Sequence, residues 1–173
     1  EYVCELKYDG VAISLIYENG VLIRAVTRGD GVYGDNVTEN IKTIKTIPLQ
    51  LFGNHPSHVE LRGEVYISKK EFARINDYRK KKQLNIKKNY NIQIQSKTDV
   101  EPAKLKKQYL ADIRKFEQYS NPRNFASGSL KLLDSSRVAK RNLDCVIYSV
   151  IGRDSDAHSH HQLLLNARNW GFK

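Results

Sequence analysis

The sequence predicts an α+β domain built on an antiparallel sheet. An Asn-Gly turn signal in "YENG", residues 17–20, sits between two β-prone runs, and that dipeptide strongly favours a tight hairpin. Two further β-prone runs, "VELRGEVYI" and "LDCVIYSVIG", are separated by helical patterns. Strands and helices do not alternate regularly, as the strand–helix–strand units of a parallel sheet would require.

Taken in order, residues 2–9 and 11–17 read as strands, and 21–29 as the return strand of the hairpin. In the first run Glu5, Lys7 and Asp9 alternate with Cys4, Leu6 and Tyr8. An extended chain would put charges of both signs on one face and core material on the other. "GDGVYGDN" follows, where Gly29, Gly31 and Gly34 let the backbone approach a ligand. Asp35 or Asn36 is placed to cap a helix that reaches about Thr46 and that Pro48 ends. Residues 59–67 form a strand with Arg62, Glu64 and Tyr66 on one face and Leu61, Val65 and Ile67 on the other. Ser68 and Glu71 make a capping box for the next helix. Pro122 fits the first turn of another helix, residues 143–152 are a strand, and 160–172 are a C-terminal amphipathic helix. His158, His160 and His161 read as a polar loop leading into that helix, and no metal ligand is assigned to them.

Composition bounds the function. The chain has 173 residues, 40% of them hydrophobic, and no apolar run nears the ~20 residues of a membrane span. A soluble protein without a signal peptide is expected. There is no methionine and the first residue is Glu1, so a fragment of a longer protein is expected. Cys4 and Cys145 read as two small core residues in a reducing compartment.

The net charge of +10 is concentrated. Residues 79–118 hold 12 Lys or Arg against 4 Asp or Glu, hence +8. This stretch reads as a polar insertion, mobile before Pro102 and helical after it. It fits either a segment that tracks a DNA backbone or a solvated Lys/Asn-rich loop. The sparse aromatics favour the solvated loop.

Glu5, Lys7 and Asp9, with Arg62, Glu64 and Arg28, could line one mixed-charge pocket. Solvated sheet faces with cross-strand ion pairs account for the same pattern equally well. Nucleotidyl transfer through a covalent lysine uses this mixture. A lysine attacks only when neutral, and its free pKa is about 10.4. A nearby arginine or partial desolvation disfavours the ammonium form. An arginine also neutralises a phosphate under attack, and a carboxylate can hold ribose hydroxyls or a base amine. Lys7, Arg28 and Glu64 suit those roles, and Asp9 suits orienting Lys7 or supporting a metal.

"ELKYDG" contains the lysine-x-Asp-Gly motif of covalent nucleotidyltransferases, the ligases and capping enzymes. With "AVTRGDGVYGDNVTENIKTI", "LRGEVYI" and "NPRNFASGSLKLLD" in this order and spacing, the chain resembles the adenylation domain of bacterial NAD-dependent DNA ligases. The resemblance covers nearly everything outside 79–118. It implies the antiparallel-sheet, ATP-grasp-like nucleotidyltransferase fold, with residues 1–173 as part of that domain.

The resemblance also implies roles. Lys7 would attack the α-phosphate of NAD, expel nicotinamide mononucleotide and become lysyl-AMP. The AMP would pass to the 5′-phosphate of nicked double-stranded DNA for sealing by the 3′-hydroxyl, with Mg²⁺ (or Mn²⁺) assisting. Glu5 is implied on the adenine side, Arg28 near ribose and phosphate, Glu64 on the ribose, and Tyr148 stacked on adenine. A core-packed strand tyrosine remains the other reading of Tyr148. Arg123 is implied at DNA phosphate or the edge of the active site. Lys131 occupies a position where the family often has arginine, so the charge is kept without the bidentate fork. A second lysine motif, the small N-terminal subdomain, the zinc module, the oligonucleotide-binding fold and the helix-hairpin-helix region are expected outside this chain. The implied protein is a monomer of the bacterial cytoplasm, away from membranes. The other readings are an ATP-using relative and an incomplete copy that only binds nucleotide or DNA.

Overall fold

The computed structural model describes residues 4–96, 101–152 and 159–173. The chain divides into two units. Residues Lys69–Ser120 form one, and the chain on either side of them forms the other.

The larger unit is built on a four-stranded antiparallel sheet, β1 (Val11–Glu18), β2 (Val21–Thr27), β3 (His58–Tyr66) and β4 (Asp144–Gly152), in the order β2-β1-β3-β4. The β1–β2 turn carries positive φ at both central residues, 48° at Asn19 and 79° at Gly20. Paired positive φ defines the tight turn whose twist matches the flanking strands. Ile13, Leu15 and Tyr17 of β1 and Val59, Leu61 and Val65 of β3 are buried at every second position. That alternation gives the sheet one core face. Ile41, Ile44, Phe125, Leu130, Val138, Trp170 and Phe172 complete the core.

Over the described residues 4–9 no strand forms. β1 pairs Val11 with Val65, and β3 ends one residue later at Tyr66, so the chain before Gly10 has no partner to continue a ladder. Cys4 and Leu6 are accordingly exposed, Leu6 at 83%, and form no core face; Cys145 alone of the two cysteines is buried.

The helix expected to reach Thr46 is only α1 (Thr38–Ile41), followed by single turns closed from Ile44 to Ile41 and from Ile47 to Ile44. Its run of β-branched residues, Val37 to Ile47, disfavours a continuous helix. Asn36 Oδ1 accepts the Thr38 N–H at 3.2 Å, whereas Asp35 is used elsewhere.

Helices α4 (Pro122–Leu130), α5 (Ser135–Ala139) and α6 (His160–Asn169) also belong to the larger unit. Asn121 caps α4, its side chain accepting the Asn124 N–H at 3.1 Å, with Pro122 at the first position. The side chain of Asn40 donates to the carbonyls of Leu130 and Leu132, each at 2.7 Å, and so ties the end of α4 to α1.

The smaller unit is an antiparallel helical pair, α2 (Lys69–Gln95) and α3 (Pro102–Lys115). α2 begins where the capping box places it, but it runs on to Gln95 without a break. The reading of residues 79–101 as mobile is therefore corrected over the described part. Lys and Gln are good helix formers and Asn a weaker one, and α3 supplies the packing that pattern alone did not reveal. The Tyr90 and Tyr109 rings stack with centroids 4.2 Å apart. Asn76 exchanges two 2.9 Å hydrogen bonds with the Tyr119 backbone. Arg79 donates to the carbonyl oxygens of Lys115 and Glu117 and lies over the Tyr119 ring, closing the C-terminal end of α3.

Candidate active site

The larger unit carries an open cleft of about 1450 Å³ at the end of the sheet where β1 begins. Glu5, Lys7, Asp9, Arg28, Glu64, Arg123, Lys131 and Tyr148 all line it. Arg62 does not; its guanidinium turns to Glu60 at 2.9 Å.

Each wall has a local cause. Residues 5–9 form the exposed lead-in to β1, and Gly10 anchors that segment. The Gly10 N–H donates to Glu64 Oε1 at 3.1 Å. A Cβ on Gly10 would lie 2.1 Å from the carbonyl oxygen of Val65, so the close approach of β1 to β3 requires glycine. Tyr8 packs its ring against Tyr66, centroids 4.8 Å apart, which leaves Lys7 and Asp9 free of the sheet.

Arg28 follows β2, its N–H held by the Ala12 carbonyl at 3.2 Å. Arg123 and Ser127 of α4 and Lys131 at its C-cap recur every four residues, which places them on one helix side; Phe125, Ala126, Ser129 and Leu130 bury the other. Tyr148 is reached through a bulge. Arg62 pairs with Ser149 and Gly63 with Ile147, so Tyr148 is the extra residue on β4. A bulge of this kind re-aims a side chain, and Tyr148 is 38% exposed, facing the cleft instead of the core.

Polar contacts bridge the side chains around the cleft. Arg123 Nη1 lies 3.3 Å from Asp9 Oδ1, Lys131 Nζ 2.9 Å from Asp35 Oδ2, and His160 Nε2 3.0 Å from Glu5 Oε1. All of these groups are substantially exposed, so each pair contributes little to stability and can open for a ligand. Asp35 was missed as a cleft-lining residue, and His160 as the partner of the cleft residue Glu5. Asp35 read as a helix cap, and the contact between His160 and Glu5 spans 155 positions. His158 lies outside the described residues. Among the described residues no group of three or more His, Cys, Asp or Glu side chains could hold a metal ion. Asp9 and Glu64 are hard oxygen donors of the kind that hold Mg²⁺ jointly with substrate phosphates, one or two carboxylates sufficing.

Partial burial raises the Glu64 carboxyl above its ordinary 4.5, against the opposing pull of the Gly10 N–H and of Arg123 and Lys7; Asp9 adds to the rise. For a carboxyl raised in the folded state, the unfolded chain releases its proton first. Ionisation then costs stability as pH climbs through and above 4.5, and costs nothing well below it. Glu64→Gln keeps an acceptor for Gly10 without the charge. Urea denaturation should therefore find the variant at least as stable as the parent at pH 7, with any gap closing towards pH 4. A variant less stable at pH 7 that recovers at pH 4 would show the charge to be net stabilising.

The cleft of this α+β unit gathers two lysines, several carboxylates, two arginines and two tyrosines, a mixture that suits a phosphorylated, ring-bearing ligand. The chain belongs to the NAD-dependent DNA ligase adenylation domain family, whose pattern matches residues 1–110 and 100–173. It is 47% identical to a DNA ligase of Flavobacterium psychrophilum, 45% to one of Christiangramia forsetii and 42% to one of Porphyromonas gingivalis. Each alignment covers 100% of this chain and 21% of the relative, so the chain spans about a fifth of the length of the curated relatives it matches. Among the described residues no helix is long and apolar enough to cross a membrane.

Proposed function

We propose that this chain is the nucleotide-charging part of an NAD-dependent DNA ligase. The observation that supports this most is the gathering of Lys7 with Glu5, Asp9, Arg28, Glu64, Tyr148, Arg123 and Lys131 around one cleft. Tyr148 offers a face for adenine, with Glu5 at its edge. Glu64 accepts a ribose hydroxyl, and Arg28 binds the phosphate.

Neutral Lys7 Nζ attacks the α-phosphorus of NAD. The bond from phosphorus to the bridging oxygen breaks, nicotinamide mononucleotide leaves with that electron pair, and Nζ gives up a proton to water. Arg28 offsets the charge that builds on the phosphate, and Asp9 orients Lys7. Asp9 and Glu64 would hold Mg²⁺, which would supply further neutralisation of the phosphate charge. The AMP then passes to the 5′-phosphate of a nick in duplex DNA, which Arg123 and Lys131 contact, and the 3′-hydroxyl displaces it. The setting is DNA replication and repair in the bacterial cytoplasm, with the protein acting as a monomer.

Intact-mass spectrometry of the complete gene product, with Mg²⁺ and either NAD or ATP, tests the reading. One AMP adduct from NAD and none from ATP is the expected result. An adduct from ATP alone would move the protein to the other ligase branch. No adduct from either, in folded protein, would overturn the reading.

A further inference from the structure

We propose that the outward face of α2 is a contact surface for the phosphate backbone of duplex DNA. The surface belongs to the helical pair and is separate from the residues of the cleft. It rests on the ligase reading only for the choice of duplex DNA as the polyanion.

Charge is the first observation. Residues 69–120 hold 15 Lys or Arg against 6 Asp or Glu, hence +9 of the chain's +10. α2 itself carries nine Lys or Arg and two carboxylates, Glu71 and Asp77.

Placement is the second. The half-buried positions of α2, including Phe72, Ile75, Asn76, Arg79, Gln83, Ile86 and Tyr90, recur at helical spacing on the side that packs against α3. At 100° per residue, Lys70, Lys81 and Lys88 stand on the opposite side, flanked by Lys69, Lys80 and Lys87. All six are exposed. The lysines that pattern alone left as a solvated loop thus become a fixed comb, about 27 Å long from Lys70 to Lys88 at 1.5 Å per residue. Duplex DNA carries a charge for every ~1.7 Å of its axis, so such a comb meets phosphates along its whole length.

The third observation is pairing. Among the described residues, the larger unit matches cations to carboxylates at Lys42–Glu39, Arg62–Glu60, Arg123–Asp9 and Lys131–Asp35. In α2 only Arg74 is so matched, to Glu71, and none of the six lysines has a carboxylate partner among the described residues. A helix kept cationic on a packed scaffold suits a polyanion. An anionic bilayer fits less well, because the outward Leu84 and Ile92 are interleaved with lysines and give no continuous apolar stripe.

The test measures binding of the full 173-residue chain, without nucleotide, to a labelled DNA duplex across a salt series. Lys70, Lys81 and Lys88 are changed together to Gln, which keeps the helix. A matched control changes Lys45, Lys140 and Lys173 to Gln. The log–log salt slope should fall by about 2.7, near 0.9 for each lost phosphate contact, with affinity down on the order of tenfold or more at low salt. The triple Lys→Arg variant should restore both. An unchanged slope, or an equal loss in the control, overturns the proposal. So does tighter, lysine-dependent binding to phosphatidylserine vesicles than to duplex. Failure of the ligase reading would register separately, as a missing AMP adduct.

Discussion

Lys7→Ala is expected to abolish the AMP adduct completely, and Lys7→Arg to abolish it just as completely while leaving AMP binding within a few-fold of the parent. The arginine variant decides the point. Guanidinium keeps the positive charge beside Asp9 and Arg123 but stays protonated at any usable pH, so it has no lone pair with which to attack phosphorus. A lysine serving only as a phosphate-binding charge would be replaced by arginine at modest cost. Intact mass reads the adduct, and titration calorimetry with AMP reads the binding. An adduct that survived both substitutions would assign the nucleophile to another lysine and remove the central role given to residues 5–9.

Gly10→Ala should lower stability through a backbone clash between the lead-in to β1 and β3. The new Cβ would sit 2.1 Å from the Val65 carbonyl oxygen and 2.9 Å from its carbon. Both are backbone atoms of a strand paired on each side, so neither can rotate away. Overpacking of this kind costs about 2–3 kcal/mol, which for a chain of this size lowers the melting midpoint by roughly 4–12 °C. The same shift lengthens the Gly10 N–H bond to Glu64 and displaces Lys7, so adduct formation should fall together with stability. Gly128→Ala is the contrast. An added Cβ there meets nothing within 4 Å, and the position lies inside α4, where alanine is favoured over glycine by about 0.5–1 kcal/mol. Thermal melts of the two variants should therefore move in opposite directions. A Gly10→Ala protein that melted with the parent would mean that the β1–β3 approach is looser than the geometry describes.

Much of this was legible in the chain because the forces involved are local. An Asn-Gly pair favours positive φ wherever it stands, and Asn19 and Gly20 adopt it. Asn121 before Pro122 caps a helix with its own side chain, and period-two burial in β3 follows from alternating side chains. The lysine-x-Asp-Gly motif and its companion motifs sufficed to name the family, since they are strings of residues that need no fold to be read.

What pattern reading misjudged depended on partners far away in sequence. Residues 4–9 look like a strand, yet β3 ends opposite Gly10, and a ladder cannot extend past its partner. Residues 79–95 look unstructured, yet Tyr109, Ile113 and the carbonyls of Lys115 and Glu117 give α2 a packed side. Tyr148 shares a β-prone strand with buried neighbours, and its place beside Lys7 and Glu64 depends on the pairing of β4 with β3. Local preference chooses between helix, strand and turn at a cost of tenths of a kcal/mol per residue. The cleft, which joins residues 5–9, 28, 64, 123, 131 and 148, exists because strand pairing and core burial outweigh those preferences and bring together side chains that no window along the chain contains.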